Sequence, residues 1–221
     1  MATVHEAGTA SWRFAHDIPT TLHALLYLRD TLGLGELAGF ELPRLIDEVP
    51  DRRELLSASE RSEAAAAWKR WWGRAVGADT EENLVRDPTD ASWRAQMVER
   101  RRSLADPPGW SSLGAHPGLQ RAAQLLYGEA SRWASNARRP YLPPQRRDLF
   151  EWHVVRDAAE ETAARYGVSP GAVNGSALIL LVEGNWWQQL PSGMAVCAVG
   201  AAADPAITAS ILRRVFAFSL A

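Results

Sequence analysis

Cysteine is almost absent from this 221-residue chain, where Cys197 stands alone. A single thiol excludes an intramolecular disulfide framework and any zinc site built on several cysteines. Lysine is as scarce: Lys69 is the one lysine among 24 basic side chains. Acidic side chains number 26, so the formal net charge is −2 and no segment has the basic surplus of a nucleic-acid footprint. Long apolar runs are missing too. The most apolar helical stretch, from Asp204 onward, is interrupted by Arg213 and Arg214, which excludes a membrane span there. The opening segment to Pro19 carries Glu6, Arg13 and Asp17 and does not read as a secretory signal. These absences lead us to expect a soluble, cytoplasmic protein that uses neither nucleic acid nor membrane as a partner.

Present instead is an ordinary globular composition, 47% hydrophobic and 23% charged, enough to build a sizeable core. The expectation is one compact domain over residues 1–221, with 106–114 (Pro107, Pro108, Gly109, Gly114) as the candidate internal boundary. Tryptophan is abundant, ten residues against four tyrosines and five phenylalanines. Its large apolar surface and single N–H suit cores, interfaces and aromatic ligand walls alike.

Helical periodicity dominates the chain. Leu22, Leu25, Leu26, Arg29 and Leu32 share a face of a helix over 20–32 that Gly33 ends. Pro43 and Pro50 bracket a short helical piece around Leu45 and Ile46. Ser57-x-x-Glu60 is a capping box opening a helix with Trp68, Trp72 and Ala75 on one face, stopped by Gly77. Thr89 or Asp90 opens another through Trp93, Met97 and Arg101. Leu119, Ala122, Ala123, Leu126, Ala130, Trp133 and Ala137 draw a long stripe. A helix over 145–166 ends at Gly167, and a last one buries Ile207, Ile211, Val215 and Phe218. Only 177–182 and 194–199 are unbroken apolar runs of strand length, joined through Pro191-Ser192-Gly193. Trp12 and Phe14 alternate in 9–15, a third strand for the same sheet. The fold class is therefore α+β: mostly helical, with a small antiparallel hairpin or meander near the C-terminus.

TAARYGVSPGAV at 162–173 resembles the turn of the helix–turn–helix in bacterial winged-helix repressors. The resemblance implies a recognition helix after it, a wing at Pro191-Ser192-Gly193 and a DNA-binding regulator. The would-be recognition helix carries Asn174, Gly175 and Ser176, then Leu178, Ile179 and Val182. Those residues offer a groove little to read, so the reading is of a degenerate regulator without DNA affinity. Catalytic signatures are otherwise missing. GLGELAG at 33–39 follows a helix rather than a strand, and GWSSLG at 109–114 misses the nucleophile elbow. His153 and Asp157 lie four apart on one helix, with Glu160 and Glu161 beyond and His116 as a distant third ligand, a pattern better read as a surface His–Asp contact than as a metal site. Cys197, inside an apolar strand, reads as a buried inert thiol.

The segment Glu183-Gly184-Asn185-Trp186-Trp187-Gln188-Gln189 is the leading functional candidate. Side chains alternate along a strand, so Trp186 with Gln188 and Trp187 with Gln189 face opposite ways, and one tryptophan should enter the core while the other lines a groove. The sequence thus supports a binding or interaction protein that presents Trp186, Trp187, Asn185, Gln188 and Gln189 to a protein partner or a small apolar ligand. The alternatives are an enzyme with an aromatic-lined pocket and Glu183 and His153 as acid–base groups, and the degenerate winged-helix regulator. No cofactor or metal is implied by any of the three.

Overall fold

A computed structural model describes residues 2–4, 12–37, 39, 41–84, 95, 109–142 and 149–220. Of the expected helix from Thr89 or Asp90 through Arg101 only Ala95 is among the described residues, and it is helical. Of the helix expected over 145–166, residues 145–148 lie outside the described residues and 149–151 are not helical. The chain divides into two compact units, residues 1–19 with 138–221, and residues 20–137. No helix among the described residues is long and apolar enough to cross a membrane.

The first unit is built on a five-stranded sheet of order β1-β2-β3-β5-β4, formed by β1 (Ala2–Val4), β2 (Arg13–Asp17), β3 (Asn174–Leu180), β4 (Trp187–Gln189) and β5 (Ala195–Ala198). The class is α+β, as the residue patterns imply. Both apolar runs are strands and the N-terminal segment joins them, but the meander is corrected. β2 and β5 both run parallel to β3, while β1 and β4 pair antiparallel at the two edges. After β3 the chain passes over to the outer edge, descends as β4 and returns by a hairpin as β5 between them. The antiparallel hairpin near the C-terminus is thus β4–β5. The reason lies in burial. β3 and β5 are buried along nearly their whole length, and such continuous apolar strands suit the parallel interior of a sheet. The strand at 174–180 also occupies the place of a recognition helix, so the resemblance to a helix–turn–helix fails structurally.

One face of the sheet carries Phe14, Gly175, Ala177, Ala195 and Cys197, small residues at its centre. Against it lies α6 (Pro205–Phe218), entered through Asp204, whose carboxylate accepts from the N–H groups of Ala206 and Ile207. A Cβ on Gly175 would overlap Val215, so the glycine is what lets this helix close on β3. α4 (Trp152–Tyr166) packs beside α6, tied by Arg213 to Glu161 at 2.9 Å, and ends at Gly167 with φ 65, as expected. The short α5 (Val199–Ala203) joins β5 to α6. Phe150, with φ 51, bends the chain before α4, and its ring packs 4.9 Å from Phe14, an aromatic contact that offsets an unfavourable backbone conformation.

Among its described residues the second unit contains three long helices, α1 (Thr20–Thr31), α2 (Ala58–Leu84) and α3 (Pro117–Ala137). α1 is buried on every side from Leu22 to Arg29, not on one face. Arg29, 1% exposed, donates to Asp30, to the Leu42 carbonyl and to the Pro43 carbonyl, and Asp30 accepts from the Leu45 N–H. Those bonds hold 42–45 in an open conformation, so the helical piece expected around Leu45 and Ile46 does not form: its backbone groups are already engaged. The Ser57–Glu60 capping box is present in both directions. α2 does not stop at Gly77, because Ala75, Val76, Ala78 and Thr80 continue its buried face; that burial outweighs the ~1 kcal/mol a mid-helix glycine costs.

Candidate functional site

The segment Glu183 to Gln189 leaves the buried end of β3 through a turn at Gly184, φ 72. The Gly184 carbonyl and Asn185 Oδ1 lie 2.6 and 2.7 Å from where a Cβ of Gly200 would stand, so only glycine at 200 admits this turn. The Trp186 carbonyl then accepts from Ala198 N–H at 2.8 Å, and Leu190 N–H donates to Met194 at 2.8 Å. In an antiparallel pair every second residue turns its N–H and C=O toward its neighbour. With Trp186 and Leu190 so turned, Gln188 also faces β5, while the backbone groups of Trp187 and Gln189 point away from it, to the outer edge of the sheet. The hairpin closes through Pro191-Ser192-Gly193, where Gly193 has φ 85 and donates to the Leu190 carbonyl at 2.9 Å. The Phe218 ring covers that glycine, and a Cβ there would overlap it.

Side chains alternate as the sequence requires. Trp187 and Gln189 face α6: the Arg214 guanidinium sits 5.5 Å from the Trp187 ring centroid, and Gln189 reaches the Arg214 carbonyl at 3.4 Å. Gln188 is exposed on the opposite face, and Asn185 is exposed in the preceding turn. The expectation that one of the two tryptophans enters the core is corrected, since Trp186 and Trp187 are both half-buried. Among the described residues β4 is the outermost strand, with a neighbour on one side only, and no core closes over it. Cross-strand from Trp187, Cys197 is fully buried, and desolvation pushes its thiol up to about 12, the state of an unreactive sulfur.

The other expected groups stand apart from this strand. Glu183 is exposed. His153 is exposed on α4, its Nδ1 3.3 Å from Glu151, and Asp157 pairs with Arg156 at 2.7 Å, so the expected His153–Asp157 contact is replaced by two others. His116 lies in the second unit, between Glu63 and Arg70. Among the described residues no three His, Cys, Asp or Glu side chains are placed to hold a metal ion.

Five of the ten tryptophans are core. Trp68, Trp71, Trp72 and Trp110 are buried in the second unit and Trp12 in the first. Trp68 donates to the Leu25 carbonyl and stacks on Trp72 at 5.5 Å. Besides Trp186 and Trp187, Trp152 is 42% exposed, with Arg156 at 4.9 Å from its ring. Arg214 was not evident from the sequence, where it reads only as a charge interrupting an apolar stretch. Its spacing of four from Phe218, which lies over the hairpin turn, is the signal that it faces β4.

No protein-family model, no curated protein and no solved structure matches the chain.

Proposed function

We propose that this is a binding protein whose docking surface is the outer strand β4 with Arg214 and Phe218 of α6, and that its partner is a protein. The observation that carries the reading is the Trp187–Arg214 pair: a half-buried indole on the last strand of a sheet, with a guanidinium 5.5 Å from its ring centroid. Aromatic and arginine side chains supply large contact area and directional charge, and they dominate the energetics of protein interfaces. Phe218, which the helical pattern places on the buried face, is instead 48% exposed and extends the apolar surface around the hairpin turn. Glu183 and His153, both exposed, give an acid–base reading no buried or convergent site to rest on. A cytoplasmic setting accords with a single thiol kept buried and reduced.

The test is capture from extract of the cells that make the protein, with wild type and Trp187→Ala run in parallel. A partner held by wild type and lost by the variant, with folding intact, is the expected result. Equal capture by both chains rules out this surface.

A further inference from the structure

The geometry points to strand addition: β4 takes up an extended peptide segment that carries a carboxylate. This inference rests on reading β4 as the docking surface and names its ligand. Two observations carry it. First, the hydrogen-bond register turns the N–H and C=O of both Trp187 and Gln189 away from β5, at the end of the sheet order. Those four groups are spaced as one strand of a partner needs them, since a strand added to an edge bonds to alternate residues. Second, the charge beside that edge is uncompensated. Arg213 is paired with Glu161, whereas the Arg214 guanidinium meets the Trp187 ring and, among the described residues, no carboxylate. β4 itself is Trp-Gln-Gln, with no charge of either sign. A peptide carboxylate next to Trp187 would reach Arg214 and form a charge-assisted bond that a neutral or basic side chain could not. The backbone thus supplies affinity without sequence preference, and Arg214 supplies the preference for acid.

The full chain, labelled with nitrogen-15, is titrated with two pools of seven-residue peptides. Positions other than the centre are randomised among Thr, Val, Ser and Gln, and the centre is Glu in one pool and Lys in the other. The Glu pool should shift the Trp187 and Gln189 amides and bind about tenfold more tightly than the Lys pool, the size of one charge-assisted bond. Arg214→Gln should remove the difference between the pools. Gln189→Pro deletes an outward N–H without touching the β4–β5 ladder, a position where an edge strand tolerates proline. It should weaken the Glu pool about tenfold, the loss of one backbone bond, while the Gln188 amide stays protected as the check on folding. Equal binding of the two pools, unchanged binding by Gln189→Pro, or protection of these amides by self-association without peptide would each overturn the inference. If neither pool moves these amides while a captured partner still depends on Trp187, strand addition is wrong and the docking surface stands. If capture is indifferent to Trp187, the surface itself is wrong.

Discussion

Single residues in this chain do work that their type does not announce. Arg29 is the clearest case, a cation 1% exposed whose side chain bonds a carboxylate and two carbonyls. Replacing it by methionine would leave Asp30, 12% exposed, without its counter-charge and two carbonyls without donors. The expected loss is about 3–5 kcal/mol, the range for breaking a buried pair from one side. Urea unfolding measures it, and a loss under about 1 kcal/mol, the value of an exposed pair, would show that the cluster is solvated. Glu60 makes a prediction of the other kind. The Ser57 N–H, and then Arg121, hold its carboxyl down from 4.5 to about 2. A carboxyl with a lower pKa folded than unfolded adds stability above its unfolded value and loses it as pH falls through the folded one. The stability gap between wild type and Glu60→Gln should therefore close from 4.5 down to about 2. A gap that stays constant across that interval would assign the stabilisation to a neutral hydrogen bond.

At the scale of elements, Gly175 decides how the last helix meets the sheet. Its missing Cβ is the space filled by Val215, with Phe216 Cδ1 3.1 Å from the same point. Gly175→Ala should cost about 1–3 kcal/mol, the range for overpacking a core, and thermal unfolding should show it as a lowered midpoint. A neutral outcome would mean that α6 is free to slide on β3. Elements with local signals were legible in the sequence: the capping box at Ser57, the glycine cap at 167, the proline and Asp204 at the start of α6, and both apolar strands. Strand order was not. The same apolar runs satisfy a meander or a parallel pair, and the choice depends on β2, some 160 residues distant from β3 in the chain, and on which strand is buried on both faces. The extension of α2 past Gly77 was hidden for a related reason, because propensity speaks for a stop and only tertiary burial speaks against it.

For the molecule as a whole, the division into residues 1–19 with 138–221 and residues 20–137 could not be read from composition. β2 passes into α1 through Ile18 and Pro19 with no linker, and the Pro/Gly-rich stretch that looked like a boundary has its residues 109–114 inside the second unit. There Trp110 is buried, packed at 5.5 Å from Trp71 and 4.8 Å from Tyr127. Of the candidate site, the segment 185–189 was legible from two indoles and three amides in a row, but its partner Arg214 was not, because a helix and a strand 25 residues apart must meet before the pair exists. Charge is a property of the whole chain and yields its own prediction. With a net charge of −2 there is little counterion release to gain, so random duplex DNA should show no salt-dependent shift in a mobility assay. Tight binding that weakens with salt would contradict it.

Among the described residues β4 is an open edge of the sheet, and its alternate backbone groups face outward. Amide hydrogen exchange of the free protein, resolved at Trp187, Gln188 and Gln189, reads this directly. The prediction is slow exchange at Gln188, which bonds into β5, between fast exchange at Trp187 and Gln189. Protection of Trp187 and Gln189 equal to that of Gln188 would mean that the edge is already covered, and the docking surface proposed for this protein would not exist.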